Sequence, residues 1–221
     1  MKLNSVESVV RELNSAGVKF IVVGGLAVAA HGFGRFTADL DLVIHLEPDS
    51  IRRTFEALRA LGYRPRVPIT ADAFADPERR ARWVSEKQMS VLAFDSEQQP
   101  DTPVDVFVSD PFDFDEEYAQ AIVHEIAGDV PLRVVRLAAL LEMKRIAGRP
   151  QDLADIAELR RRQSEIAEHG DDAWSVTTWE GNRRYQRQMF RAKSFHDKVE
   201  AIEAMAAVRD AFGDVSRRTS G

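Results

Sequence analysis

Cysteine is absent from this 221-residue chain, which excludes a disulfide framework and any thiolate-held metal. With nothing to demand an oxidising compartment, a cytoplasmic location is the expectation. Long apolar runs are missing too. No stretch approaches the ~20 consecutive apolar residues that span a bilayer, and residues 1–13, MKLNSVESVVREL, are charged and amphipathic where a secretory leader would be continuously apolar. No membrane partner is therefore expected. Basic excess is lacking as well: a net charge of −6 speaks against a chain that coats nucleic acid indiscriminately, while leaving room for a local basic patch that grips a folded RNA. The histidines are sparse, and His45, His124, His169 and His196 have no spacing suited to zinc. Internal repeats and low-complexity tracts are absent.

What remains is a composition built to fold. A hydrophobic fraction of 44% beside 30% charged residues suits one substantial domain with a small appendage. Val6, Val9, Val10 and Leu13 recur at helical spacing before Gly17. The run 20–23 is β-branched and aromatic and breaks at Gly24-Gly25, as a buried strand entering a tight turn would. A short helix over 26–31, a strand over 40–44 and a helix after Pro48 with Ile51, Phe55, Leu58 and Leu61 on one face follow. Residues 64–87, rich in Pro, Asp and Arg, read as a long functional loop with a turn of helix after Pro77. Runs 90–94 and 104–108 read as a hairpin, 114–121 as a helix, and short β-like runs lead to Val135. Helices over 136–147 and 151–163 are separated by Gly148-Arg149-Pro150, with a polar linker over 164–173. Ser194 is placed to cap a final helix with Asp197 in its first turn and Phe195, Val199, Ile202, Met205, Arg209 and Phe212 along one side. The outline is an α/β head with a mixed sheet and a helical C-terminal segment.

The chemistry concentrates in Gly24-Gly25, then residues 26–38, then Asp39-Leu40-Asp41-Leu42. Strand alternation sends Asp39 and Asp41 to one face and Leu40 and Leu42 to the core. Two neighbouring carboxylates in an apolar strand ask for a divalent cation, and magnesium prefers such oxygen ligands together with substrate phosphates. Asp105, between Val104 and Val106, supplies a third acid, as a two-ion displacement at phosphorus requires. It is also a candidate acceptor for the nucleophile's proton. Gly24-Gly25, where a strand meets a helix, suits a phosphate cradle, with Arg35 and Thr37 offering a guanidinium fork and a hydroxyl to the same phosphates. A dinucleotide fingerprint or P-loop at Gly32-Phe33-Gly34-Arg35 is rejected, because the third glycine of the one and the Gly-Lys-Ser/Thr of the other are missing.

This pattern resembles the nucleotidyltransferase superfamily, whose small members have a polymerase-beta-like fold. More narrowly, Gly24-Gly25 with Ala27, His31-Gly32, Arg35, Thr37, Asp39 and Asp41, followed by Met143-Lys144, Gly148-Arg149-Pro150 and Asp152-Leu153-Ala154-Asp155-Ile156, is similar to the AbiEii-type toxin nucleotidyltransferases of toxin-antitoxin systems. The match covers roughly residues 15 to 160. The resemblance implies Mg2+ (or Mn2+) held by Asp39, Asp41 and Asp105, a nucleoside triphosphate as substrate, and nucleotide contact by Lys144. Transfer to an acceptor hydroxyl, on a tRNA or a protein, and an antitoxin partner are implied with it. Gly25 departs from the superfamily, where serine is common, so only backbone contact is implied there. The implied organisation is a catalytic core over 1–135, a helical segment over 136–165 completing the nucleotide cleft, and a helical appendage over 174–221. Two other readings stay open: a catalytically inactive scaffold that binds a partner, and an antibiotic nucleotidyltransferase.

Several residues carry two readings. Lys144 lies on the apolar side of its helix, where it either faces a triphosphate or lets its head snorkel to water. Lys87, following the long loop, is a second candidate nucleotide contact. Asp152 and Asp155 also suit the first turns of a helix simply by complementing its dipole, and His31 reads as a packed or turn-capping residue. In the tail, Trp174, Trp179, Tyr185 and Phe190 interleave with Arg183, Arg184, Arg187, Arg191 and Lys193, a pattern that binds RNA or packs an amphipathic tail onto the head. The stretch Trp179-Glu180-Gly181-Asn182-Arg183-Arg184 is similar to short helical partner proteins of such enzymes, which implies a fused regulator.

Overall fold

The computed structural model describes residues 1–126, 130–169 and 189–218. Among these, β1 (Phe20–Val22), β2 (Leu40–Ile44), β3 (Tyr63–Pro65), β4 (Val91–Ser96), β5 (Val104–Phe107), β6 (Ile122–Ile126) and β7 (Val130–Val134) form one seven-stranded sheet in the order β3-β4-β5-β2-β1-β7-β6. The β2–β5 and β1–β7 pairs are parallel and the rest antiparallel, so the sheet is mixed, as the alternating pattern of the sequence implied. The central strands are the most apolar, because they are covered on both faces. In β2 every residue but Asp41 is buried.

Helices α1 (Leu3–Ser15), α2 (Gly24–Ala30) and α3 (Pro48–Ala60) pack around that centre. Val6, Val9, Val10 and Leu13 of α1 are fully buried, each worth about 1.5–3 kcal/mol of apolar transfer. Beyond them come α4 (Ala71–Ala75), α5 (Pro77–Lys87), α6 (Phe114–Gln120), α7 (Leu137–Ala147), α8 (Pro150–His169) and α9 (Phe195–Arg218). Among the described residues no helix is long and apolar enough to cross a membrane.

The stretch read as a loop over 64–87 is largely structured. Tyr63–Pro65 is an edge strand, and Pro77–Lys87 is a helix of three turns. The signals taken for a loop are start signals: Asp76 accepts bonds from the Glu78 and Arg79 amides and Pro77 occupies the first turn, where its missing N–H costs nothing. Elsewhere α2 begins at Gly24, two residues sooner than expected. Helix α8 runs on to His169, through most of the expected linker; residues 170–173 lie outside the described ones.

The final helix starts where the sequence placed it. The Asp197 amide donates to Ser194 Oγ at 3.1 Å and the Ser194 amide to the Asp197 carboxylate at 3.3 Å, a reciprocal cap. Phe195, Val199 and Ile202 are buried against the head, whereas Met205 is 38% exposed, a correction to the expected stripe. The side chains of Arg209 and Phe212, and residues 174–188 with Trp174, Trp179, Arg183, Arg184, Tyr185 and Arg187, lie outside the described residues.

Candidate active site

Asp41 and Asp105 are paired in register across the parallel strands β2 and β5. Paired residues on adjacent strands project to the same face about 4.8 Å apart. Their flanking pairs, Leu40 with Val104 and Leu42 with Val106, are fully buried on the other face, which fixes the acids outward. Asp39 lies two residues before Asp41 and adds its charge to both. Burial, then Asp105 and Asp39, push Asp41 up to about 7, against a hydrogen bond from the Gly25 amide and the charge of Lys144. Burial and Asp39 push Asp105 up to about 6, with Arg66 opposing. Burial and the neighbouring acids therefore disfavour the ionisation of Asp41 and Asp105.

The glycine bend closes directly onto this face. Gly24 has φ +62°, and a Cβ there would collide with the Asp41 carboxylate. A Cβ on Gly25 would collide with Thr37 Oγ1 and come within 3.1 Å of Arg35 Nη2. The glycines are thus required first by this chain's own side chains, and the Gly25 amide is engaged by Asp41. Thr37, buried, brings its hydroxyl to the spot where residue 25 offers no side chain.

A buried ionic network ties the helical segment to this bend. Lys144 Nζ lies 3.0 Å from Asp152 and 2.7 Å from Asp155. Asp155 also holds Arg35 at 2.8 Å, and Asp152 holds Arg149 at 2.6 Å. Lys144, Asp152 and Asp155 are at most 4% exposed, so Lys144 does not snorkel to water; Asp152 does stand in the first turn of α8, but both acids are held in a paired cluster. Full burial of a charge is tolerated only with such pairing. Lys87, by contrast, is exposed on the last turn of α5 and makes no ion pair among the described residues. His31 caps α2 and bonds the Val135 carbonyl through Nε2 at 2.8 Å, the packed role expected of it.

Sequence reasoning missed two residues on this face, Arg66 and Asp95. Arg66 follows β3 and grips Asp95 of β4 through Nε and Nη2, both at 2.7 Å. No local pattern marks them, since three residues of edge strand show no periodicity; only the sheet register brings them beside Asp105.

A family model described as "Nucleotidyl transferase AbiEii toxin, Type IV TA system" matches residues 10–214. The chain belongs to the AbiEii family. That agrees with the motif resemblance and extends it past residue 160 through the helical tail. None of the curated proteins matches this AbiEii-family chain. Among solved structures it is similar to JHP933 from Helicobacter pylori, at 12% identity and a TM-score of 0.39, over 97% of this chain and 93% of that one.

Proposed function

We propose that this chain transfers a nucleoside monophosphate from a nucleoside triphosphate to an acceptor hydroxyl, using Mg2+ or Mn2+ held by Asp39, Asp41 and Asp105. The observation that carries the reading is the in-register Asp41–Asp105 pair beneath the Gly24-Gly25 bend. Among the described residues no group of three or more acidic, histidine or cysteine side chains is placed to hold a metal ion by itself, so the reading rests on the acid pair and not on a preformed metal cage. An open site is what magnesium takes, bound by one or two carboxylates and completed by substrate phosphates and water. The donors fit: they are hard oxygens, and two of them are held above their ordinary pKa by burial and mutual repulsion, a penalty that a divalent cation relieves. When bound, the ions supply charge neutralisation at the reacting phosphorus and the leaving pyrophosphate.

The chain's own residues do the rest. Asp105 takes the proton of the attacking hydroxyl. The bond from that oxygen to the α-phosphorus forms as the bond from the α-phosphorus to the bridging oxygen breaks, and pyrophosphate leaves. Arg35, Thr37 and the backbone at Gly24-Gly25 hold the triphosphate. Lys144 acts through Asp155, which fixes Arg35; Lys87 has only the weaker claim of an exposed cation. As a member of a toxin family, the chain would act in the cytoplasm on an RNA end or a protein and be restrained by an antitoxin partner.

The test is incubation with each α-labelled triphosphate, Mg2+ and total cell RNA and protein. Label is expected on a discrete acceptor with the wild type and on none with Asp41→Ala. Undiminished labelling by that variant would overturn the reading.

A further inference from the structure

The sheet register extends the acidic row by two further positions. Asp41 pairs with Asp105, Asp105 pairs with Ala93 of β4, and the Arg66 amide donates to the Ala93 carbonyl at 2.8 Å. Across this face the order is therefore Gly24, Asp41, Asp105, Ala93, Arg66. At about 4.8 Å per strand, the Arg66 backbone lies roughly 10 Å from that of Asp105. Ala93 is the smallest possible side chain between them that still has a Cβ and is only partly buried, so it does not fill the space between the acid and the arginine. The charge of Arg66 acts on both Asp105 and Asp39.

The guanidinium is held in place. Asp95, on the same face as Ala93 and two residues along β4, takes Nε and Nη2 as a fork, and this fixes the plane of the group. Its Nη1 edge has no partner among the described residues, and the side chain is 58% exposed. The glycine bend with Arg35 and Thr37 lies on the opposite side of the acids. Nucleotide and acceptor must approach the α-phosphorus from opposite directions for in-line displacement, so the Arg66 side is the one left for the acceptor.

We propose that Arg66, oriented by Asp95, is the acceptor-side residue of this site and binds a phosphate next to the attacking hydroxyl. This rests on the transferase reading above and narrows its acceptor. A 3′-terminal nucleotide carries its hydroxyl and a phosphodiester within one residue, a separation that fits the span from Asp105 to the reach of Arg66. A protein hydroxyl carries no phosphodiester of its own. The fork geometry of arginine suits phosphate, which a lysine would meet only as a point charge.

The experiment uses the full chain with Mg2+, a labelled triphosphate and an RNA hexamer ending in a 3′-hydroxyl, beside the same hexamer with an uncharged methylphosphonate at its last linkage. With the wild type, the methylphosphonate is expected to raise the acceptor KM at least tenfold. Arg66→Ala and Arg66→Lys should show that raised KM already with the natural hexamer and lose nothing further with the modified one, while the KM for triphosphate stays within twofold. Additive losses from the two changes, an equal loss in triphosphate affinity, or transfer to protein alone would overturn the proposal. A wild type that binds triphosphate but neither binds nor labels the hexamer would overturn the assignment of Arg66 and leave the transferase reading standing. A wild type that fails to bind triphosphate with Mg2+ would sink both.

Discussion

Gly24 sits so close to Asp41 that no side chain fits between them. The bend proposed above to cradle phosphates is, in this chain, also the wall against the carboxylate proposed to hold metal. Backbone conformation at one residue and ionisation at another, seventeen positions on, are therefore coupled.

Gly24→Ala is expected to damage the site beyond its cost in backbone strain. A left-handed φ costs an alanine roughly 1–2 kcal/mol. Gly17 provides the control, with φ +65° and open space around it. Denaturant titration should show Gly17→Ala losing about that much with Mg2+ affinity intact, whereas Gly24→Ala loses Mg2+ affinity as well. Equal Mg2+ affinity in the two variants would contradict the coupling.

Acidification should stabilise the metal-free protein at Asp41. The folded carboxyl holds its proton up to about 7, while an unfolded aspartate titrates near roughly 3.9. With the folded pKa the higher, its contribution is fully present below the unfolded value and is lost as pH rises from there through the folded one. Relative to Asp41→Asn, the wild type should thus gain in unfolding midpoint on going from pH 8 toward pH 5. Mg2+ affinity should run the other way and release protons on binding, seen as a buffer-dependent calorimetric heat. A pH-independent gap between the two proteins would show that Asp41 titrates ordinarily.

The Lys144–Asp155 pair should be non-additive. Removing one partner of a buried ion pair costs roughly 3–5 kcal/mol because the other is stranded. Asp155→Asn takes a carboxylate from both Arg35 and Lys144 and leaves Lys144 with Asp152 alone, so it is expected to fall at the lower end of that range by urea denaturation. The double variant Lys144→Met, Asp155→Leu should lose less than the sum of the single changes. Strict additivity would mean the two side chains do not interact.

Loss of the reciprocal cap at the last helix should be local. Ser194→Ala leaves the Asp197 amide without its acceptor and costs about 1 kcal/mol. Faster amide exchange through α9 than through β1 and β2 is the expected signature, and unchanged exchange in α9 would refute it.

The sequence alone determined the parts that are short-range and periodic. The apolar alternation around Asp41 and Asp105, the glycine bend and the Ser194 cap are each set within a few residues, because strand period, left-handed φ and capping geometry are local properties. The same local reading misjudged residues 64–87, where Pro and Asp open a helix as readily as they mark a loop. Only the tertiary structure decided which distant residues share the face. The register of four strands sets Arg66 beside Ala93, Asp105 and Asp41, and the α7–α8 packing turns Lys144, Asp152 and Asp155 from separate charges into one buried cluster. Pairing partners across a sheet or a helical hairpin are chosen by the summed burial of whole elements, and no stretch of the chain carries that information by itself.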